Sequence, residues 1–311
     1  MPEWLFEEGI GERRYALVDN DEIAEARIEP EGTLRAGSVI AARLVRGGRN
    51  AIARDESGNE YLVPKGAPGV TEGATLAIEI TREAIPGTEP WKRPLARMTD
   101  EPAREAPRLE GRAAQPGELG GAGWDELIEE ARSGVVPFNG GELRISPTPA
   151  MTLIDVDGAL PPDELAVRGA AEAARAIRRF DIGGSIGIDL PTAGSKAVRQ
   201  HAAEAIDATL PQPFERTAVN GFGFVQIVRV RQRASLVELA QDRAAFEARA
   251  LLRRAAFEPP GPKRLVAHPA VVAMLEARTD WLATLSRLVG GTVGLRADPA
   301  LPMSGGYAES A

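Results

Sequence analysis

"MTLIDVDGALPP", residues 151–162, sets an apolar run, Leu153-Ile154, directly before two carboxylates, Asp155 and Asp157, and a glycine, Gly158. Three roles are open to Asp155: a nucleophile that takes a phosphoryl group, a metal ligand that activates water, or a turn residue at a strand end. Upstream, "ELRISPTPAMTLIDVD" reads as two strands with Pro147 and Pro149 at the turn. Downstream, Ala166, Ala170, Ala173, Ile177 and Phe180 recur in steps of three and four, one face of a helix within 163–180. The strand "SIGIDL" follows, then a helix over 195–209 through Val198, Ala202 and Ala205, then the strand "GFVQIVRVR" at 223–231. Strand, helix, strand, helix, strand predicts an α/β layer. Asp155 and Asp189 each end a strand, and parallel strands joined by a helix are usually neighbours. Their C-terminal ends share the edge where sites in open sheets form.

The flanking segments read differently. "RYALVDNDEIAEARIE" (14–29) predicts two short strands around Asp19-Asn20-Asp21. Within 38–81, "SVIAARLV", "NAIARD", "EYLVP" and "TLAIEIT" alternate with glycine-rich turns, the pattern of a small five-stranded barrel of the oligonucleotide-binding kind. Residues 98–123 hold many Pro, Gly, Glu and Arg and few large apolar side chains, which predicts a disordered linker. "WDELIEEARSG" predicts a short helix ending at Gly134. A helical stretch at 236–256, "RLVAHP", helices over about 269–288 and "GTVGLRAD" make a small C-terminal α/β unit. The expected organisation is α/β in an α+β multidomain chain. It comprises N-terminal strands (1–37), a barrel (38–97), a linker (98–123), a central α/β domain (124–235) and the C-terminal unit (236–311).

Composition excludes several chemistries. The 311 residues contain no cysteine and only two histidines, His201 and His268, so thiolate–zinc sites, a Cys nucleophile and a multi-His metal centre are ruled out. "MPEWLFEEGI" lacks the basic start and apolar core of a signal peptide, and no run nears the ~20 apolar residues of a span; a cytoplasmic protein is expected. The net charge of −8 disfavours whole-surface nucleic-acid binding. Three arginine clusters nevertheless favour a polyanion partner: Arg43, Arg46, Arg49 and Arg54; Arg175, Arg178 and Arg179; Arg229, Arg231 and Arg233. The plain reading of any one cluster is a solvated face.

Three local patterns compete for the chemistry. "DVDGAL" resembles the Asp-x-Asp-Gly nucleophile motif of haloacid-dehalogenase-like phosphatases, but no later Gly-Asp or Asp-Asp pair follows to hold Mg²⁺. "GGSIG" (183–187) matches a Gly-x-Ser-x-Gly elbow, yet the strand follows Ser185 where the elbow needs it to precede. The third pattern is the pair Asp155 and Asp189. Two carboxylates at equivalent strand ends can hold Mg²⁺ at about 2.0–2.1 Å with waters completing the shell. Either Asp alone is more simply a turn or cap residue; the pairing favours the metal.

At these residues the chain resembles the ribonuclease E/G family. "TLIDVDGA" (152–159), "AARAIRRFDIGGSIGIDLP" (173–191) and "GFGFVQIVRVRQRASL" (221–236) carry the resemblance. "RLVRGGRNAIARDESGNEYLVP" and "TLAIEITREAIPG" resemble the family's S1 barrel, "RYALVDNDEIAEARIE" the segment before it, and "RLVAHPAVVAML" through "TVGLRAD" the small domain after the catalytic core. The resemblance implies a Mg²⁺-dependent endoribonuclease, with Mn²⁺ as an alternative ion, that cleaves single-stranded RNA. It puts the catalytic, metal-binding aspartates on Asp155 and Asp189. Asp157 stands where the family has Asn, as an assisting ligand, and Gln226 where it has Glu. RNA contacts are implied at Arg229, Arg231, Arg233, Lys92, Arg43 and Arg46.

The departures are large. The region that carries the family's 5′-monophosphate sensor is reduced to 98–123. The Cys-Pro-x-Cys zinc link is absent, so no zinc and no zinc-linked tetramer are expected, though another oligomer is compatible. In the barrel, Leu62 stands where an aromatic is expected, with Tyr61 beside it. The alternatives are a catalytically weakened RNA-binding or regulatory protein and, third, the phosphatase.

Overall fold

The computed structural model describes residues 1–86, 92–192 and 194–310; residues 87–91, inside the predicted barrel span, lie outside the described residues. The chain opens with an antiparallel meander, β1 (Glu3–Glu8), β2 (Glu12–Asp19) and β3 (Glu22–Pro30). Asn20 and Asp21 take φ of 50° and 64° at the β2–β3 turn, the left-handed geometry that two-residue hairpins require and that Asn and Asp tolerate. Five strands then close into a barrel in the order β4-β5-β6-β8-β7: β4 (Val39–Arg46), β5 (Ala51–Arg54), β6 (Glu60–Val63), β7 (Thr75–Arg82) and β8 (Leu95–Thr99). Alternation drives the closure: Leu76, Ile78 and Ile80 of β7 point inward with Leu44, Val63 and Tyr61, and their neighbours face out.

The expectation of disorder over 98–123 is corrected here. Arg104 exchanges backbone hydrogen bonds with Val39 (3.0 and 2.9 Å), extending the barrel. β9 (Arg112–Ala113) pairs in parallel with β1, and α1 (Glu118–Gly121) follows. Ala106 and Leu119 are buried. A segment poor in large apolar groups is ordered because its backbone is paired and Leu119 reaches the central core.

The central unit contains α2 (Trp124–Ser133), β10 (Val135–Phe138), β11 (Gly141–Pro147), β12 (Thr152–Gly158), α3 (Pro162–Arg179), β13 (Gly184–Asp189), α4 (Lys196–Thr209), β14 (Phe214–Arg216) and β15 (Phe224–Arg229). Its six strands run β10-β11-β12-β13-β15-β14, with β12 and β13 the parallel pair and the other pairings antiparallel. Leu143, Ile145, Ile154, Val156, Ile186, Ile188, Val225 and Ile227 line the buried face against Ala166, Ala170, Ala173 and Ile177 of α3. Burying each of the larger side chains contributes roughly 1.5–3 kcal/mol. Leu5, Ala16, Ala26 and Ile28 of the N-terminal meander belong to this same core.

The remaining elements are α5 (Leu236–Leu239), α6 (Arg243–Phe257), β16 (Lys263–Ala267), α7 (Pro269–Glu276), α8 (Thr279–Val289), β17 (Val293–Ala297) and β18 (Tyr307–Ser310). The helical stretch predicted at 236–256 is two helices, because Asp242 caps a new start at the Ala245 amide. Buried ion pairs tie α6 to the meander: Arg249 to Glu12 at 2.8 Å and Arg253 to Glu7 at 3.0 Å, with Arg14 bonded to both glutamates at 2.6 Å. The fold is α+β with a closed five-stranded barrel. Among the described residues no helix is long and apolar enough to cross a membrane.

Candidate active site on the open face of the central sheet

Asp155 and Asp189 are register partners on the parallel strands β12 and β13. Adjacent strands stand roughly 4.8 Å apart, and paired residues project to the same face. That face is the one the helices leave open, and both carboxylates are exposed. Neither makes a hydrogen bond or ion pair with a described residue. The local reason is the period of two: Ile154, Val156 and Ile188 go to the core, so Asp155 and Asp189 must go to solvent. Asp189 ends β13, whereas β12 continues past Asp155 to Gly158, where β11 pairs with it.

An apolar floor adjoins the pair. Phe224 of β15 is the register partner of Asp189. A Cβ built on Gly187 would lie 2.6 Å from the Phe224 ring and 3.0 Å from Leu153 Cδ2, so the ring covers bare backbone that only glycine provides. Gln226 lies opposite Gly187 and donates from Nε2 to Ser185 Oγ at 3.0 Å. On the other side, Arg144 is the partner of Asp155, with Nη2 donating to Glu142 Oε1. At the same end of the sheet Asp163, in the first turn of α3, accepts from the Gly194 amide at 3.0 Å. That bond ties the loop after β13 to the helix after β12.

Asp157 shares this face but sits two residues further along β12, opposite Glu142, about 6.6 Å beyond Asp155 by strand rise. Among the described residues no group of three or more His, Asp or Glu stands close enough to hold a metal ion. The pair could supply two carboxylates to a hard dication such as Mg²⁺, the rest of whose shell would have to be water.

The candidate RNA contacts scatter. Arg229 lies on the buried side of β15: Nη1 donates to the Ile182 carbonyl at 2.9 Å and the Ile177 carbonyl at 3.4 Å, and burial lowers its pKa. Arg231 pairs with Glu238, and Arg233 with Asp181 at 2.8 Å. Lys92 Nζ donates to the Pro149 carbonyl, at the far end of β12 from Asp155. Arg178 and Arg179 meet Glu25 and Glu130. Arg43 and Arg46, by contrast, stand exposed on the barrel, bonded to the carbonyls of Gly73 and Asn50. Tyr61 is buried, its hydroxyl donating to Asp55 at 2.7 Å, and burial raises its pKa; it offers no ring to a ligand.

The sequence reading overlooked Phe224, Phe222 and Arg144. The signal was present: in "FVQIVR" the apolar Val225 and Ile227 share parity with Arg229, which assigns Arg229 to the core side and Phe224 to the open side. No protein-family model matches the chain, and no curated protein matches it.

Proposed function

We propose that the protein is a Mg²⁺-dependent endoribonuclease that hydrolyses phosphodiester bonds of single-stranded RNA on the open face of the central sheet. The observation that carries the reading is the in-register, exposed and unpartnered pair Asp155–Asp189. Like charges directly opposite on neighbouring strands destabilise a sheet, and Arg144, the register partner of Asp155, gives its Nη2 to Glu142 instead, so the pair favours a ligand that supplies further countercharge. Mg²⁺ bound there would lower the pKa of a water and neutralise charge on a phosphate oxygen. Asp155 and Asp189 bind and orient; the Leu153–Phe224 floor excludes water from one side; Arg43 and Arg46 on the barrel give long-range attraction to the backbone.

A second reading, an RNA-binding protein without cleavage, is favoured by the lack, among the described residues, of a third metal-grade side chain beside the pair. The deciding experiment follows a fluorescent single-stranded RNA with Mg²⁺, with Mn²⁺ and with EDTA. Metal-dependent internal cleavage supports the first reading. Intact RNA that nonetheless binds selects the second.

A further inference from the structure

Phe222 is 83% exposed at the tip of the turn that leads into β15. A single exposed apolar side chain is ordinary; this one sits on a turn whose backbone is pinned by hydrogen bonds. Asn220 Oδ1 accepts from the amides of Phe222 (2.9 Å) and Phe224 (3.1 Å). The Gly223 carbonyl accepts from the Leu190 amide at 3.3 Å. Gly223 has φ of +91°, and a Cβ there would stand 2.2 Å from the Leu190 carbonyl oxygen. The turn is thus seated against the residue that follows Asp189, and it carries the exposed Phe222.

Phe224 and Leu153 form an apolar strip over Gly187 beside the aspartates, and the turn that carries Phe222 leads directly into it. An apolar protein surface covering that strip would bury Asp155 and Asp189 without partners, at a large desolvation cost. A ligand that combines a flat aromatic ring with an anion bridged to the carboxylates by a dication meets both halves of the surface. Each nucleotide of RNA is such a ligand. The barrel cannot supply the stacking from Tyr61, which is buried and bonded to Asp55.

We infer that Phe222 is a nucleobase-stacking platform that seats the base next to the phosphodiester addressed by Asp155 and Asp189. This inference rests on the reading of the pair as a phosphodiester site. The platform fixes which phosphate meets the pair, so it sets cleavage position as well as affinity.

The test compares wild type with Phe222→Ala, Phe222→Leu and Phe222→Trp on short fluorescent oligoadenosine and oligouridine, by anisotropy in EDTA and by single-turnover cleavage in Mg²⁺. Circular dichroism checks the fold, which a change at so exposed a ring leaves intact. Loss of one stacked base weakens binding about five- to hundredfold. Ala and Leu should both show that loss, Trp should stay within about twofold of wild type, and adenosine should suffer more than uridine. Wild-type behaviour of Phe222→Ala or Phe222→Leu on an RNA that the wild type binds overturns the platform and leaves the cleavage reading standing. Weakened binding by the variants of a wild type that does not cleave supports the platform and overturns the cleavage reading. A wild type that neither binds nor cleaves single-stranded RNA overturns both.

Discussion

Asp155 and Asp189 face each other across the parallel pairing of the central sheet, on the side that the helices leave open. Many other carboxylates of this arginine-rich chain are engaged: Glu7, Glu12, Glu25, Glu130, Asp181, Glu238 and Glu247 all meet guanidinium groups. The contrast separates acids that hold the fold together from acids that the fold holds out to solvent.

Arg229 belongs to the first group of interactions. Its guanidinium satisfies the carbonyl of Ile177, near the end of α3, and that of Ile182. Arg229→Ala removes the donor to the Ile182 carbonyl, while the Ile177 carbonyl keeps the Ile182 amide at 2.9 Å, at a cost of about 1–3 kcal/mol for the acceptor left in a half-buried site. Urea denaturation should register that loss, while RNA affinity at low temperature stays within a few fold of wild type. A large affinity loss without a stability loss would restore Arg229 as an RNA contact.

If RNA binds as proposed, the exposed barrel arginines should carry the electrostatic part of that binding. For single strands, log K falls with log salt at a slope of about −0.7 per neutralised phosphate. Arg43→Ala with Arg46→Ala should flatten that slope by about 0.7 for each phosphate that is no longer neutralised. Arg233→Ala, whose guanidinium pairs with Asp181, should leave the slope unchanged. Salt titrations of RNA binding for the three proteins distinguish these outcomes.

Glu83 gives stability a pH dependence of known sign. Burial raises its pKa, against the lowering effect of its hydrogen bond from the Ala36 amide, 3.1 Å away. The folded state therefore holds this proton to higher pH than the unfolded chain does. The stability Glu83 contributes is present below the unfolded value of about 4.3 and is lost as pH rises through the folded value. Glu83→Gln keeps an acceptor for Ala36 and carries no charge. The variant should melt above wild type at about pH 7, and the difference should close at about pH 4. A difference that widens towards acid would contradict the burial assignment.

Much of the central sheet was legible because it obeys simple periods. "TLIDVDG" alternates cleanly, "GSIGID" does so but for Gly187 under the Phe224 ring, and the α3 face from Ala166 to Phe180 is buried throughout. The Asp155–Asp189 juxtaposition followed from one rule about strands joined by a helix. What escaped depended on tertiary context. The arginine clusters looked alike in sequence, yet Glu25, Glu130 and Asp181, distant in the chain, and the nearer Glu238 engage members of two of them. The 98–123 segment gains its order from pairing with Val39 and with β1, strands that lie far upstream. The Phe224 ring over Gly187 needed the β13–β15 register, which no local pattern supplies.

The metal-pair assignment is tested most directly by Asp189→Asn and Asp155→Asn, each measured for single-turnover RNA cleavage in Mg²⁺ and for RNA affinity in EDTA. Both side chains are exposed and unbonded to described residues, so the amides should leave the melting temperature nearly unchanged. If the carboxylates hold the metal, cleavage should fall by orders of magnitude, while affinity stays within a few fold or tightens as repulsion of the phosphates is relieved. Near-wild-type cleavage by either variant would contradict the assignment.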